Sequence, residues 1–208
     1  MQSFDTSLRQ ITDRIHAAVA ARTPLRPSGG GSKDFYGESL QGDLLDLTAL
    51  SGITSYEPTE LVVTARAGTP LRELEALLAE KGQCLAFEPP HFGATDAHPS
   101  TATVGGMVAS GLSGPARASA GSVRDYVLGV QLINGKGELL TFGGQVMKNV
   151  AGYDVSRLMV GAMGALGVLT EISLKVLPVA PAEATLMCGG IAQQAALDLL
   201  NRWGGQPL

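Results

Sequence analysis

Apolar side chains fall on Leu8, Ile11, Ile15, Ala18 and Val19, at steps of three and four that predict a helix over residues 4–22. Thr23-Pro24 ends it, because the residue before a proline avoids the helical region. A short extended piece follows over Leu25–Pro27, and then a loop, Ser28-Gly29-Gly30-Gly31-Ser32. Short strands are expected at 44–47 and 53–57. The β-branched run LVVTARA predicts a strand over 61–67. Thr69 as N-cap and Pro70 in the first position open a helix that Gly82 closes. Residues 83–87 read as a strand, and Thr103 is placed to cap a short helix within 101–110. Asn134-Gly135-Lys136-Gly137 joins strands at 127–134 and 138–142 into a hairpin. A short helix is expected over 155–163. In 168–177, Ile172, Leu174 and Val176 alternate with Glu171, Ser173 and Lys175, the period of a strand. Beyond Pro178 and Pro181 a strand at 184–188 and a helix at 193–203 complete the pattern.

This order predicts an α+β fold of two subdomains, about 1–92 and 93–180. The remainder, 181–208, is too short to bury a core of its own and reads as the start of a further domain.

Composition changes the picture at one point. The chain has 208 residues and 27 glycines, about twice the usual share of roughly 7%. Most lie in a block from Ser100 to Pro178, between stretches that are apolar and regular. That texture suits backbone folded closely around a ligand, since glycine allows positive φ and close approach. Hydrophobic content of 45% argues against disorder.

Charge excludes more than it suggests. A net charge of −4, no basic run and 5% aromatics argue against nucleic-acid binding. Cys84 and Cys188 make neither a disulfide framework nor a metal motif. The three histidines, His16, His91 and His98, have no carboxylate or cysteine at ligand spacing, so no metal is expected. The amphipathic start lacks a signal-type apolar run, and no stretch reaches about 18 apolar residues, so a cytoplasmic location is expected.

Two standard phosphate loops fail on spacing. Gly129–Gly137 reads GVQLINGKG, with no hydroxyl residue after the lysine. Gly161–Gly167 reads GAMGALG, with a strand rather than a helix after it. What remains is the loop Ser28–Ser32, whose successive amides can form an anion-binding nest, and the segment Thr103-Val104-Gly105-Gly106 at the start of a helix, whose amides also suit a pyrophosphate. The alternatives are a flexible turn for the first and a glycine pair for close packing for the second.

Four further segments carry a resemblance: Thr103-Val104-Gly105-Gly106-Met107-Val108-Ala109, Gly121-Ser122-Val123-Arg124-Asp125, Gly152-Tyr153-Asp154 and the run from Gly161 to Pro178. Together with the loop at 28–32 they resemble the FAD-binding domain of the vanillyl-alcohol-oxidase, or PCMH, type, over about residues 20–180. PLRPSGGGSKDFYG and VMKNVAGYDVSRLMVGAMGALGVLTEISLKVLP are similar in particular to FAD-binding subunits of glycolate-oxidising complexes.

The resemblance implies a cofactor and its contacts. Ser28, Gly29, Gly30, Gly31 and Ser32 would cradle the FAD pyrophosphate. Thr103, Val104, Gly105 and Gly106 would contact its phosphate and ribityl region. Gly121, Ser122, Arg124 and Asp125 would lie near the flavin, with Arg124–Asp125 as an ion pair the alternative. Gly164, Gly167 and Val168 would line the adenine end. Lys148 would stand near the flavin pyrimidine ring. Tyr153-Asp154 either joins the site or fastens its loop to Arg157. Lys33 either helps with phosphate charge or is an exposed lysine. Gly31 stands where covalently flavinylated members carry histidine, so FAD is expected to be non-covalent. The cap expected after residue 181 is where such members hold their substrate-handling residues, so no catalytic residue is assigned.

The function implied is that of the FAD-binding subunit of a complex oxidising a small 2-hydroxy acid, glycolate above all. Its partners would be a second flavin subunit and an iron–sulfur subunit, since this chain lacks cysteines for a cluster. Membrane association, if any, would be peripheral and through those partners. The rivals are a flavin-binding scaffold subunit without substrate chemistry and another PCMH-type flavin reductase.

Overall fold

The computed structural model describes residues 2–95, 97–144 and 152–204. In chain order the elements are α1 (Gln2–Ala21), β1 (Leu25–Ser28), β2 (Asp43–Asp46), β3 (Ile53–Glu57), β4 (Val62–Arg66), α2 (Leu71–Ala79), β5 (Gln83–Cys84), α3 (Val104–Ser110), α4 (Arg117–Ala120), α5 (Val123–Tyr126), β6 (Val127–Ile133), β7 (Leu139–Gly143), α6 (Val155–Leu158), β8 (Val168–Lys175), β9 (Leu177–Pro178) and α7 (Gln193–Gly204).

Five strands form the central sheet in the order β3-β4-β8-β6-β7, every neighbour antiparallel. Strand β8 lies in the middle. That position explains a departure from simple alternation, because Ser173 is buried as well as Ile172 and Leu174. The Ser173 hydroxyl is satisfied by the Thr64 hydroxyl on β4, at 2.9 Å, as a buried polar group requires. The sheet takes β3 and β4 from before residue 92 and β6 to β8 from after it. A division at 92/93 would therefore separate the hydrogen-bonded neighbours β4 and β8.

The main core lies between this sheet and helices α2 and α3. Leu71, Leu74 and Leu78 of α2 are fully buried at helical spacing. They pack with Val63 and Ala65 of β4, Val104, Met107 and Val108 of α3, and Ile172 and Leu174 of β8. Each such side chain contributes about 1.5–3 kcal/mol by burial. A second cluster joins Ile11 and Ile15 of α1 to Leu45, Leu47, Leu50, Ile133 and Val168. It holds α1 and the parallel pair β1–β2 against one end of the large sheet. His16 adds a hydrogen bond to the Lys136 carbonyl oxygen at 3.0 Å, so it anchors α1 to the β6–β7 turn.

Several local expectations shift. Thr69 does not cap α2. Its hydroxyl donates to the Gly52 carbonyl at 3.1 Å and accepts from the Gly52 N–H at 2.9 Å, and Pro70 takes the N-cap place. The strand expected over 83–87 is only two residues long, because β5 finds a partner in β9 alone. The helix expected over 155–163 stops at Leu158. Residues 184–188 form no strand; they are exposed and have no ladder partner among the described residues. No helix among the described residues is long and apolar enough to cross a membrane.

Candidate functional site

Two stretches far apart in sequence are stitched together beside β4. Leu71 N–H donates to the Ala102 carbonyl at 2.8 Å, Val104 N–H to Thr69 at 2.9 Å and Gly105 N–H to Ala67 at 2.7 Å. These bonds fix the start of α3. Gly105 has to be glycine, since a Cβ there would lie 2.7 Å from the Ala67 Cβ and 2.9 Å from its carbonyl oxygen. Thr103 caps α3 as expected, its hydroxyl accepting from the Gly106 N–H at 3.2 Å.

The loop after β1 leans on this segment. A Cβ on Gly29 would strike the Thr103 side chain, and one on Gly30 would overlap the Thr101 carbonyl. Glycine is therefore favoured at both positions by close approach, to a side chain at Gly29 and to backbone at Gly30. Gly31 is required for a different reason, its φ of +68°. From the far side comes the turn before β8. Gly164 has φ +80°, and its Cα faces Pro27 so closely that a Cβ would lie 3.3 Å from the proline Cγ.

Between these walls runs a cleft of about 460 Å³. The residues of 28–32, Thr103, Gly105 and Gly106 line one side and Gly164, Gly167 and Val168 another. Eleven of the sixteen residues expected in the site thus meet in one cavity. The cleft also takes in Arg26 from β1, Lys33, Tyr36 and Leu40 from the loop after it, and Met159, Met163 and Leu169. Of these, only Lys33 had drawn attention in the sequence.

The expected residues differ in what they offer. Among the described residues, the amides of Gly29, Gly30, Gly31 and Ser32 donate to no acceptor, while the neighbouring Asp34 and Tyr36 amides close local turns. The amides of Val104, Gly105 and Gly106 are committed to Thr69, Ala67 and Thr103. The expectation that both segments present free amides is therefore corrected: the donors lie in the glycine loop, while the second segment supports it. Val104 does not reach the cleft; its side chain belongs to the core.

Gly121, Ser122, Arg124 and Asp125 do not line the cleft either. The Asp125 carboxylate accepts from the Ser122 N–H at 2.8 Å and its hydroxyl at 3.0 Å, closing the start of α5. The Ser122 N–H bond, before all else, holds the Asp125 pKa below its ordinary value, and the charges of Arg157 and Arg124 act the same way. The ion-pair alternative is not met: among the described residues Asp125 makes no ion pair with Arg124. Asp154 caps α6 through the Arg157 N–H at 3.1 Å and pairs with the Arg157 guanidinium at 3.2 Å, while Tyr153 points into solvent. Lys148 lies outside the described residues.

Lys33 is half-buried rather than exposed, and burial pushes its pKa down. Arg26 pairs with Asp34 at 3.4 Å. No histidine or cysteine lines the cleft, and the described residues contain no His/Cys/Asp/Glu cluster able to hold a metal.

A cleft with a donor loop, cations and apolar side chains along its walls suits a nucleotide cofactor. The sequence profile of the FAD binding domain family matches residues 6–143, and the chain belongs to that family. Its likeness to curated proteins is uneven in strength. It is 52% identical over 198 residues to "Glycolate oxidase subunit GlcE" of Escherichia coli K12, covering 95% of this chain and 55% of that one. It is 33% identical to "D-lactate dehydrogenase" of Anaerostipes hadrus, over 83% of this chain and 35% of that one. The chain thus spans about half the length, or less, of these relatives. Among solved structures, an alkyldihydroxyacetonephosphate synthase superposes with a TM-score of 0.63 at 22% identity, over 84% of this chain and 31% of that one. That likeness establishes the fold.

Proposed function

We propose that the chain binds FAD non-covalently in this cleft and acts as the FAD-binding subunit of a complex that oxidises a small 2-hydroxy acid, glycolate first. The observation that carries the reading is the meeting of Ser28–Ser32 with Thr103, Gly106 and Gly164 around one cavity. The residues fit the group. A diphosphate needs donors, and the four unpartnered amides of the glycine loop supply them without a fixed charge. Apolar ring systems need apolar walls, and Met159, Met163, Val168 and Leu169 supply those. Covalent attachment through histidine or cysteine needs such a side chain at the cavity, and among the described residues none lines the cleft.

When bound, FAD supplies a two-electron acceptor for the hydride of a 2-hydroxy acid. The residues of this chain bind and orient it. Gly29 and Gly30 let the loop lie flat on the α3 segment, Gly31 turns it, and Thr103 fixes the height of α3 against it. Substrate preference for glycolate rests on the 52% identity to the glycolate oxidase subunit. That relative's title names it a subunit, which supports partner chains here as well; a second flavin subunit, an iron–sulfur subunit, a cytoplasmic location and peripheral membrane contact through partners belong to the same proposal. The placing of Gly121, Ser122, Arg124 and Asp125 near the flavin belongs to the same proposal.

Anaerobic mixing of the FAD-loaded chain with glycolate tests the assignment. Bleaching of the flavin bands, alone or once co-expressed partner subunits are present, is expected. Flavin that stays oxidised under both conditions would remove glycolate as the substrate. Bleaching only with partners would favour the scaffold reading, which the partial coverage of the relatives makes worth separating.

A further inference from the structure

The loop that continues from the cleft's glycines carries a charge without an anionic partner. Lys33 lines the cleft and is half-buried there. Among the described residues its ammonium contacts only the Ser32 hydroxyl, at the long distance of 3.4 Å. Its neighbour Asp34 is engaged by Arg26. Glu38, the other carboxylate at the cleft, is exposed and forms no ion pair with it. Arg26 and Asp34 pair with each other, which leaves Lys33 without an ion-pair partner among the described residues, beside four amides that donate to nothing among them.

Taking an ammonium partly out of water costs free energy unless an opposite charge compensates. Folded proteins place such a group either where its tip reaches solvent or where a ligand completes it. Burial lowers the pKa of Lys33, the direction expected of an ammonium taken partly out of water. The adjacent amides point to the sign of the ligand, since donors and cation alike ask for an anion.

We propose that Lys33 is the counter-charge for the diphosphate of the bound nucleotide, and so the residue that makes this cleft select phosphorylated ligands. The proposal rests on the FAD reading above and adds to it a named side chain and a charge requirement. The glycine loop supplies shape and neutral donors; Lys33 supplies the charge.

Dissociation constants for FAD and for ADP, which carries the diphosphate without the flavin ring, distinguish the two levels. Both would be measured by fluorescence or calorimetry at low and at raised salt, on the full chain, its Lys33→Gln variant and its Lys33→Arg variant. Lys33→Gln is expected to weaken both ligands by about tenfold or more, the value of one charge-assisted hydrogen bond, and to flatten the salt dependence. Lys33→Arg is expected to stay within about threefold of the parent, since the charge is kept. Because among the described residues Lys33 makes one long hydrogen bond and no ion pair, both variants should melt with the parent, and Lys33→Arg keeps the test alive if Lys33→Gln does not fold. Undiminished binding of FAD and ADP by Lys33→Gln would overturn the proposal and leave the FAD reading standing. Failure of the parent chain to bind either ligand would overturn both.

Discussion

Gly30 and Gly31 are adjacent, yet they are glycines for different reasons, and substitution separates them. A methyl group on Gly30 would overlap the Thr101 carbonyl. Gly30→Ala should therefore destabilise the fold by about 1–3 kcal/mol, as overpacking does. Gly30→Asp would act mainly through the same clash, so it is a poor probe of electrostatics. A methyl on Gly31 finds room, with Asp34 Oδ2 at 3.4 Å, but the φ of +68° penalises it. Gly31→Ala should cost about 1–2 kcal/mol. Thermal melts of the ligand-free chain check both, and equal melting temperatures for parent and Gly30→Ala would contradict the close contact. Asp125 offers a test in pH. Its folded pKa lies below its unfolded one because the Ser122 N–H bonds the carboxylate. Its contribution is therefore complete above the ordinary value of 3.8 and is lost as pH falls through the lower folded value. Asp125→Asn should flatten the acid limb of a melting-temperature profile across that window; an unchanged limb would mean the bond does not hold in solution.

Helix α3 shows how a short element gains a fixed position. Its first three amides are taken by Thr69, Ala67 and the Thr103 hydroxyl. Thr103→Val removes the last acceptor while keeping the shape, and should cost about 0.5–2 kcal/mol; Thr103→Ser should restore most of it, as read by denaturant unfolding. This element also marks where sequence reasoning reached and where it stopped. The cap at Thr103, the helix α1, the β6–β7 hairpin and the strand β8 follow from periodicity and turn residues, which are local signals. Thr69 misled for an equally physical reason: a hydroxyl with the right spacing to cap α2 found Gly52 instead, whose N–H and carbonyl are brought near by tertiary structure. The strand expected at 83–87 shrank because a strand needs a partner, and β9 offers one of only two residues. Which amides stay unpartnered, and hence that the glycine loop rather than the α3 segment holds the donors, depends on pairings between 67–71 and 102–105. No local pattern announces those pairings.

At the scale of the whole molecule, the five-stranded sheet carries the main core, and the site gathers at one end of its inner strands β4 and β8. Leu74 lies at the centre of the core, fully buried between sheet and helices. Leu74→Ala should cost about 2–5 kcal/mol and should weaken cofactor binding only through loss of folded protein, which a denaturation midpoint compared with a binding curve will show. The cleft draws on β1, α3 and the start of β8, and the glycines at 29–31, 105–106, 164 and 167 lie at those junctions, whereas Gly121 does not. Arg26, Tyr36, Met159 and Met163 reach the cleft through the same topology, without a motif of their own. The central claim, that this cavity holds FAD without a covalent bond, is tested most directly by titrating the purified chain with FAD while following flavin fluorescence and the visible spectrum, and then precipitating the protein with acid. Saturable binding near one FAD per chain, with all flavin released into the acid supernatant, is the result expected. Absence of saturable binding by well-folded protein, or flavin that stays with the precipitate, would contradict it.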